Sequence, residues 1–578
     1  MSTIASTISQ CLVVVAIVMK GQADDPIVNT THGQVIGLRK VILNKTINSF
    51  YGIPFAKPPV GSLRFKKPET LPAWGEQIMD ARIPKNSCLQ WHESTPYWLR
   101  SDGLTRSEDC LYLNIWAPAN STESLTTLVW LHGGAFISNS INRPLCQGHY
   151  LAVVNNVIVA SINYRLGAFG FFYTGSDSAP GNQGMLDQVL GLRWIHDNIH
   201  RFGGDPKRIT LFGESAGAAS VNHHLLSPLS RDLFQFAILQ SGTAEAKWAL
   251  LDTSSLKGTS IGLATLLGCP TVEEVPMMEC MLKTDPQSIV DNQLSSMSKF
   301  NPIPWAPIVD GHFLPYHPEQ MLLKGDVKNT SVIIGVTKNE GAFNFSGQFN
   351  KTQFTGVAYL AAFPYADKSI YPAVVNEYAE STVPSLRPSY YALTEDLLSD
   401  LAFMCPAASF AMSYSAIGNK VFMYSLEHRS ALCPFPEHMG VAHTCDLELV
   451  FGHPLNDSLA FTNDDKRISQ HIMHYWTSFA KTGDPNNAQT QSTWPMYDNQ
   501  EMKYIVLNKT ISTGQGLRYR KCMFWQKTVK LLTKIKATND SKPCNTSDTS
   551  HAEQTKGKTA VLSLMFGLLF AVKSAFRP

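Results

Sequence analysis

The sequence predicts an α/β protein in which one large central, mostly parallel sheet is flanked by helices. Short apolar runs that read as buried strands, such as residues 128–131 and 209–212, end in glycine-rich turns. The chain has 578 residues, 44% of them hydrophobic, and a formal charge of +2. No internal repeat or long low-complexity stretch interrupts it, so one large globular domain is expected. The near-neutral charge argues against nucleic acid as a partner.

A strand-turn-helix motif surrounds Ser215. The pentapeptide 213–217, Gly-Glu-Ser-Ala-Gly, follows the apolar run 209–212 and precedes a helix-like segment. In a G-x-S-x-G elbow the serine sits on a sharp turn, and its hydroxyl projects above the sheet as a nucleophile. An isolated match to this pattern is weak evidence. A catalytic elbow also requires an oxyanion hole, and an acid and a histidine that follow the serine in that order along the chain.

Candidate oxyanion donors occur upstream, where the apolar run 128–131 leads into residues 132–136, His-Gly-Gly-Ala-Phe. A tetrahedral intermediate needs about two or three N–H groups aimed at its oxyanion, and glycine lets the backbone approach closely. The amide of Ala216 is a further donor. Standing alone, the segment would read as an ordinary glycine turn at the end of a strand.

An acid and a histidine follow in the required order. The apolar run 331–336 leads to Glu340, and the run 421–424 leads, after a loop, to His443. The sequence thus predicts that His443 takes the proton of Ser215 and that Glu340 holds the imidazole tautomer and stabilises the imidazolium.

Further motifs make the chain resemble the cholinesterases of the type B carboxylesterase family over roughly residues 26 to 533. The resemblance implies an α/β-hydrolase fold, an active site at the bottom of a gorge, no metal or cofactor, and oxyanion donation by the amides of Gly134, Ala135 and Ala216. The family more often has glycine at position 135, although its bile-salt-activated lipases have alanine too. The motifs lie at residues 107–114, 163–165, 202–206, 230–234, 237–242, 474–476 and 479–483.

The resemblance also suggests where a choline group would bind. Trp98 is the best candidate for the main cation-binding indole, because it lies in the loop between Cys88 and Cys110. That loop is shorter than in vertebrate enzymes, so a packing or surface role for Trp98 stays open. Phe343 matches a second choline-site aromatic, Phe435 stands where the family usually has tryptophan, and Glu214 would add negative charge.

The acyl pocket departs from that of acetylcholinesterases. Their two ring-bearing positions fall on Asn301 and Ile303. Because a few methylenes change discrimination by about 1 to 3 kcal/mol, we expect propionyl and butyryl esters to be tolerated.

The two ends of the chain predict an extracellular, cell-surface protein. Residues 1–23 read as a signal peptide and residues 24–535 as the catalytic domain. Residues 536–547 form a stalk, and residues 548–578 resemble the removed signal of a glycosylphosphatidylinositol anchor. A tail-end transmembrane helix or a merely sticky tail are the alternatives. Glycosylation sequons occur at Asn29, Asn44, Asn120, Asn329, Asn350, Asn456, Asn508 and Asn539.

The cysteines agree with an oxidising compartment. The resemblance implies the pairs Cys88–Cys110, Cys269–Cys280 and Cys405–Cys522. It also implies an intersubunit bridge through Cys544, and hence a disulfide-linked homodimer. Three cysteines depart from the family pattern, and one extra disulfide among them or buried free thiols are equally open. They are Cys146, Cys433 and Cys445.

Three functions are compatible with this set of residues. The favoured one is a choline-ester hydrolase with relaxed acyl preference, acting on acetylcholine and tolerating propionyl- and butyrylcholine through an acyl-enzyme. A broad carboxylesterase or lipase of the same fold is the alternative. A non-catalytic adhesion ectodomain is disfavoured, because Ser215, Glu340 and His443 are all present.

Overall fold

A large twisted sheet with helices on both faces forms the body of the protein. The computed structural model describes residues 25–90, 103–119, 121–295, 303–342, 348–362, 370–379, 389–488, 490 and 492–533. Within these ranges the strands are β1 (Ile27–Thr30), β2 (Gly33–Ile36), β3 (Leu38–Ile42), β4 (Lys45–Pro54), β5 (Gly75–Asp80), β6 (Ser87–Cys88), β7 (Arg106–Ser107), β8 (Tyr112–Pro118), β9 (Leu125–Leu131), β10 (Ile158–Ile162), β11 (Gly204–Glu214), β12 (Phe236–Gln240), β13 (Val332–Thr337), β14 (Val421–Leu426), β15 (Lys503–Leu507) and β16 (Ser512–Gln515).

Helices connect and cover the strands. In chain order the described α-helices are α1 (His149–Asn155), α2 (Gly167–Phe171), α3 (Gln183–Asn198), α4 (Ala216–Leu226), α5 (Thr253–Leu266), α6 (Glu274–Lys283), α7 (Pro286–Asn292), α8 (Pro318–Lys324), α9 (Lys351–Ala362), α10 (Ile370–Ala379), α11 (Tyr390–Ser399), α12 (Cys405–Ala416), α13 (Leu447–Val450), α14 (Asn463–Thr482) and α15 (Tyr519–Met523).

The central sheet has eleven strands in the order β16-β15-β14-β13-β12-β11-β9-β10-β8-β4-β3. The consecutive strands from β15 to β10 in this order run parallel to one another. Antiparallel strands extend the sheet at both edges. The predicted α/β-hydrolase architecture of a mostly parallel sheet flanked by helices is confirmed. The chain passes from β9 to β10 on one side and then returns to β11 on the other, which makes β9 and β11 the switch point of the sheet. Open α/β sheets bind ligands beyond the carboxyl ends of the strands at such a point.

The central strands are apolar on both sides because helices cover both faces of the sheet. Strand β13 shows the resulting alternation. Val332, Ile334 and Val336 pack into one hydrophobic cluster, whereas Ile333 packs into the cluster on the opposite face. The two-residue repeat of side-chain direction in a strand explains this division.

A buried ion pair ties the end of β10 to helix α3. The Arg165 guanidinium donates to both carboxylate oxygens of Asp187 at 2.8 Å, and the Arg165 amide donates to the same carboxylate at 3.0 Å. Both side chains are almost fully buried. Because the loss of one partner would leave a buried charge unpaired, this contact strongly couples the two elements.

Helices α11 and α12 run continuously from Tyr390 to Ala416 through a π-helical turn, Asp400–Met404. Within the described residues this is the one helix whose length and composition would suit a membrane span, and most of its apolar window is buried in the core. Pro406 accounts for the irregularity, because it has no N–H to donate to the carbonyl of Ala402 four residues earlier. The indole Nε1 of Trp248 donates to that carbonyl at 2.8 Å.

Three cysteine pairs lie at disulfide-bonding distance, namely Cys88–Cys110, Cys269–Cys280 and Cys405–Cys522. These are the pairs that the resemblance implied. Their sequence separations are 22, 11 and 117 residues, and the third pair joins helices α12 and α15. Three disulfides of this kind indicate an extracellular protein.

Candidate active site

Ser215 stands at the turn between β11 and helix α4, beyond the carboxyl edge of the sheet. Its φ and ψ of 58° and −124° are rarely adopted by residues other than glycine. The Ser215 amide donates to the carbonyl of Gln240 in the adjacent strand β12 at 2.8 Å, which helps to hold the strained turn. A Cβ on Gly217 would come within 2.0 Å of the carbonyl oxygen of Leu131. The final glycine of the motif is therefore needed for helix α4 to pack directly against the end of β9.

The segment 132–136 follows β9 and lies beside the serine. A Cβ on Gly133 would come within 2.6 Å of the backbone oxygen of Glu214 and 3.0 Å of the Ser215 Cβ. Gly134, Ala135 and Phe136 follow with φ of 105°, 54° and 60°. Consecutive positive φ values are uncommon outside glycine, and they turn the backbone amides of this segment sharply.

Contacts with Tyr164 and hydrogen bonds to Gly134 hold the segment 132–136 in this conformation. The Tyr164 hydroxyl donates to the carbonyl of His132 at 2.8 Å, and the two rings stack with centroids 4.4 Å apart. Burial lowers the pKa of His132 to about 4, so its ring is neutral at physiological pH. The amides of Ile137 and Ser138 both donate to the carbonyl of Gly134 at 3.0 Å.

The three predicted oxyanion donors lie on the two turns described above. Within the described residues no protein group accepts a hydrogen bond from the amides of Gly134, Ala135 or Ala216. Ala216 is the first residue of helix α4, where amides have no partner within the helix. Both turns thus offer N–H groups next to Ser215, which is the arrangement that an oxyanion hole requires.

Glu340 and His443, which are 103 positions apart in the chain, are in direct contact. The Nδ1 of His443 donates to Oε2 of Glu340 at 2.6 Å. The second oxygen of Glu340 accepts from the Thr337 amide at 2.7 Å, and the carboxylate is fully buried. Because Glu340 accepts the hydrogen on Nδ1, the tautomer is fixed and Nε2 is left as the basic nitrogen of the ring.

Asn339 joins the loops that carry these two residues. Its amide donates to the carbonyl of Val441 at 3.0 Å, and its side-chain oxygen accepts from the Val441 amide at 3.1 Å. Gly440, with a φ of 60°, lies so close that a Cβ there would come within 2.3 Å of the same oxygen. The contact between Glu340 and His443 therefore rests on a backbone bridge and not on the side chains alone.

The Nε2 edge of the His443 ring contacts Glu214, the residue before the serine. Nε2 of His443 lies 3.1 Å from Oε1 of Glu214. Burial raises the pKa of Glu214 to about 8. Burial also opposes the charged form of His443, but the carboxylates of Glu214 and Glu340 outweigh this effect and raise its pKa to about 9. The imidazolium that forms when a histidine accepts a proton is therefore well stabilised here.

Aromatic side chains that the sequence did not single out line this region. Phe403 lies in the π-helical turn, and its ring centroid is 4.5 Å from that of His443. The ring centroid of Trp248 lies 5.7 Å from that of Phe403 and 6.5 Å from that of Phe136. These rings link the histidine to the segment 132–136. The one sequence signal was Pro406, which marks a distortion in an apolar helical run.

The predicted binding residues divide between the described and the undescribed parts of the chain. Phe435 is buried in the hydrophobic cluster on the His443 side of the sheet, and Ile303 packs at the edge of the opposite cluster. Glu214 is 3% exposed and in place beside His443. Trp98, Phe343 and Asn301 lie outside the described residues.

The remaining predicted sites are mostly on the surface. Asn29, Asn44, Asn329 and Asn350 are exposed, whereas Asn456 and Asn508 are half-buried. Asn120, Asn539 and Cys544 lie outside the described residues, as do the signal peptide, the stalk and the anchor signal. In the described ranges no group of three or more His, Cys, Asp or Glu side chains could hold a metal ion.

Comparison with known proteins agrees with the fold. The sequence model of the carboxylesterase family matches residues 24–525. The chain is 38% identical to an acetylcholinesterase of Bungarus fasciatus over 541 residues, which cover 89% of this chain and 88% of the relative. It is 39% identical to a cholinesterase of Mus musculus over 526 residues, or 87% of both chains. The chain therefore belongs to the carboxylesterase family and is a carboxylic ester hydrolase.

Proposed function

We propose that the protein hydrolyses choline esters through an acyl-enzyme, with acetylcholine as a substrate and propionyl- and butyrylcholine tolerated. The observation that carries the proposal is the buried arrangement of His443 between Glu340 and Glu214, directly beside the Ser215 elbow. The two relatives, an acetylcholinesterase and a cholinesterase, support choline esters as the substrate class.

In the proposed mechanism Ser215 attacks the ester carbonyl while His443 accepts the serine proton at Nε2. Glu340 holds the hydrogen on Nδ1 and stabilises the imidazolium, as its 2.6 Å contact allows. The amides of Gly134, Ala135 and Ala216 receive the negative charge on the carbonyl oxygen. His443 then returns the proton to the leaving choline oxygen. A water molecule, activated by the same histidine, releases the acid.

Glu214 has two roles in this proposal. Its carboxyl group lies 3.1 Å from Nε2 of His443, where its ionised form stabilises the imidazolium and raises the pKa of the histidine. When ionised, it supplies negative charge for the quaternary ammonium. The aromatic faces of Trp98, Phe343 and Phe435 would add cation–π attraction of about 0.5 to 2 kcal/mol each.

The acyl preference follows from the positions proposed for the pocket. Asn301 and Ile303 would replace two rings, which leaves room for longer acyl chains. Discrimination between acetyl and butyryl groups should therefore be reduced by about 1 to 3 kcal/mol. Trp248 and Phe403, which connect the segment 132–136 to His443, are proposed as further walls of this pocket.

The decisive experiment compares kcat/KM for acetylthiocholine and butyrylthiocholine with that for uncharged thioesters of the same shape. We expect the charged substrates to be preferred by about tenfold or more, and Trp98→Ala to remove that margin. Trp91→Ala, which removes another tryptophan from the same disulfide loop, is the matched control and should keep the margin. Equal rates for charged and neutral esters would instead favour a broad carboxylesterase or lipase.

We further propose that the mature chain is a surface-anchored glycoprotein dimer. Residues 1–23 would be removed as a signal peptide and residues 548–578 as an anchor signal, leaving the domain 24–535 on a stalk, residues 536–547. Cys544 in the stalk would link two copies. Release from cells by a phosphatidylinositol-specific phospholipase tests the anchor. Loss of the dimer from non-reducing gels in Cys544→Ser tests the bridge, and glycosidase mass shifts test the sequons.

A further inference from the structure

Two cysteines outside the three disulfides lie against each other close to His443. The Sγ atoms of Cys433 and Cys445 are 2.8 Å apart, well inside ordinary non-bonded contact. Cys445 is buried, and Cys433 is half-buried. The third free cysteine, Cys146, is fully buried and has no such sulfur partner within the described residues.

The segment between the two cysteines carries the histidine through a strained turn. We call residues 440–446 the histidine loop. Within it Thr444 has a φ of 76°, a value that a β-branched residue rarely adopts. Such a conformation persists only where the surrounding contacts hold it in place. Cys445 is the next residue, so a bond at its sulfur would restrain the loop immediately after the strain.

The neighbourhood of Cys433 favours attack by its sulfur. The Arg429 guanidinium donates to the Cys433 sulfur at 3.1 Å and also to the carbonyl of Gly440 at the start of the histidine loop. A hydrogen bond with Cys445 lowers the pKa of Cys433 to about 7 despite its partial burial. Thiolate is the reactive form of cysteine in disulfide exchange, and a nearby cation stabilises it.

We propose that Cys433 and Cys445 form a fourth disulfide, which pins the histidine loop to the preceding loop and keeps His443 in register with Glu340. The oxidant would be a disulfide of the secretory pathway, either a protein oxidoreductase or oxidised glutathione. The Cys433 thiolate attacks one sulfur of that disulfide and expels the first thiol. The Cys445 sulfur then attacks Cys433 in the mixed disulfide and expels the second. Two thiols are thus oxidised and one disulfide is reduced to two thiols.

Peptide mapping tests the bond directly. Protein recovered from secreting cells is blocked with N-ethylmaleimide under denaturing conditions and digested with trypsin and a glutamate-specific protease. Trypsin alone leaves both cysteines on one peptide, because no Lys or Arg lies between them. The additional cleavage after Glu437 places Cys433 and Cys445 on separate peptides. We expect a linked pair of peptides, lighter by two hydrogens than the two free-thiol peptides together. Recovery of both peptides in the alkylated form would overturn the proposal, and the alkylated Cys146 peptide is the internal control for free thiols.

The positioning role rests on the proposed function of His443 and needs a separate readout. Cys433→Ser removes the bond at its half-buried end and leaves the buried Cys445 in place. We expect kcat to fall about three- to tenfold with KM within about twofold, because only the transition-state geometry is loosened. The acid limb of the kcat profile should also move to lower pH as the contact with Glu340 weakens.

An unchanged kcat and pH profile in Cys433→Ser would overturn the positioning role even if the linked peptides are found. These rates are measured with a neutral thioester as well as with acetylthiocholine. Failure of the choline preference would therefore not be mistaken for failure of the cross-link, and the peptide map does not depend on any substrate.

Discussion

Glu214 and His443 are in direct contact, with Oε1 of the carboxyl group 3.1 Å from Nε2 of the imidazole. The pair joins the residue before the nucleophile to the proposed base. It also couples two titrating groups, since each carboxylate near His443 favours the protonated ring. The protonation state of His443 is consequently set by its neighbours as much as by its own burial.

Glu214→Gln should move the acid limb of kcat/KM to lower pH by about one unit. The sign follows from the charge: the Glu214 carboxylate raises the pKa of His443, so its removal lowers that pKa, and the neutral base is populated at lower pH. The measurement is a pH profile with a neutral thioester, which separates this effect from cation binding. A limb that stays in place or moves upward would refute the assigned coupling.

Glu340→Gln should lower kcat by about 10⁴-fold while the fold is retained. The glutamine keeps an oxygen for the Thr337 amide, but it cannot stabilise the imidazolium, and it favours the wrong tautomer of His443. Single-turnover kinetics, with the thermal transition recorded in parallel, checks this. A loss of less than tenfold would mean that Glu340 is not the acid of the site.

Gly133→Ala should lower kcat by about 10²-fold or more and destabilise the protein by about 1 to 3 kcal/mol. The added methyl group would meet the backbone of Glu214 and the Cβ of Ser215, so the segment 132–136 must move away from the nucleophile. Gly258→Ala is the matched control. It lies within helix α5 with open space around it, and alanine there should be neutral or stabilising by about 0.5 to 1 kcal/mol.

His224→Gln should cost less stability at pH 5 than at pH 7, with a difference of about 2 kcal/mol. Burial lowers the pKa of His224 to about 3, so between pH 6.5 and 3 the unfolded chain binds a proton that the folded chain does not. The stability of the wild type therefore falls as the pH falls through this window, and the variant escapes that loss. Denaturant unfolding at the two pH values measures it, with the exposed His200→Gln as the surface control.

The fold class and the order of the functional motifs followed from local patterns. Buried strands ending in glycine-rich turns predicted the parallel sheet, and the apolar runs before Ser215, Glu340 and His443 predicted three turns at one edge of it. These inferences succeed because strand periodicity and turn chemistry are encoded within a few residues. The three disulfide pairs came from the resemblance to a family, since spacing by itself does not determine pairing.

The surroundings of the site could not be derived in this way. Nothing near His443 in the sequence indicates that Phe403 covers its ring, that Trp248 caps the carbonyl left by Pro406, or that Asn339 bridges two loops. These contacts depend on how helices α11 and α12 pack over the sheet, and a packing partner carries no fixed spacing along the chain.

The sequence by itself determined the sheet, the elbow and the residue types of the site, because each depends on local backbone preferences and on alternating burial. Only the tertiary structure decided which groups touch: the Glu214 carboxyl group against His443, and the Cys433 sulfur against that of Cys445. Such contacts arise when distant segments are packed to close density, and their energies depend on distances of a few ångströms that no linear pattern records.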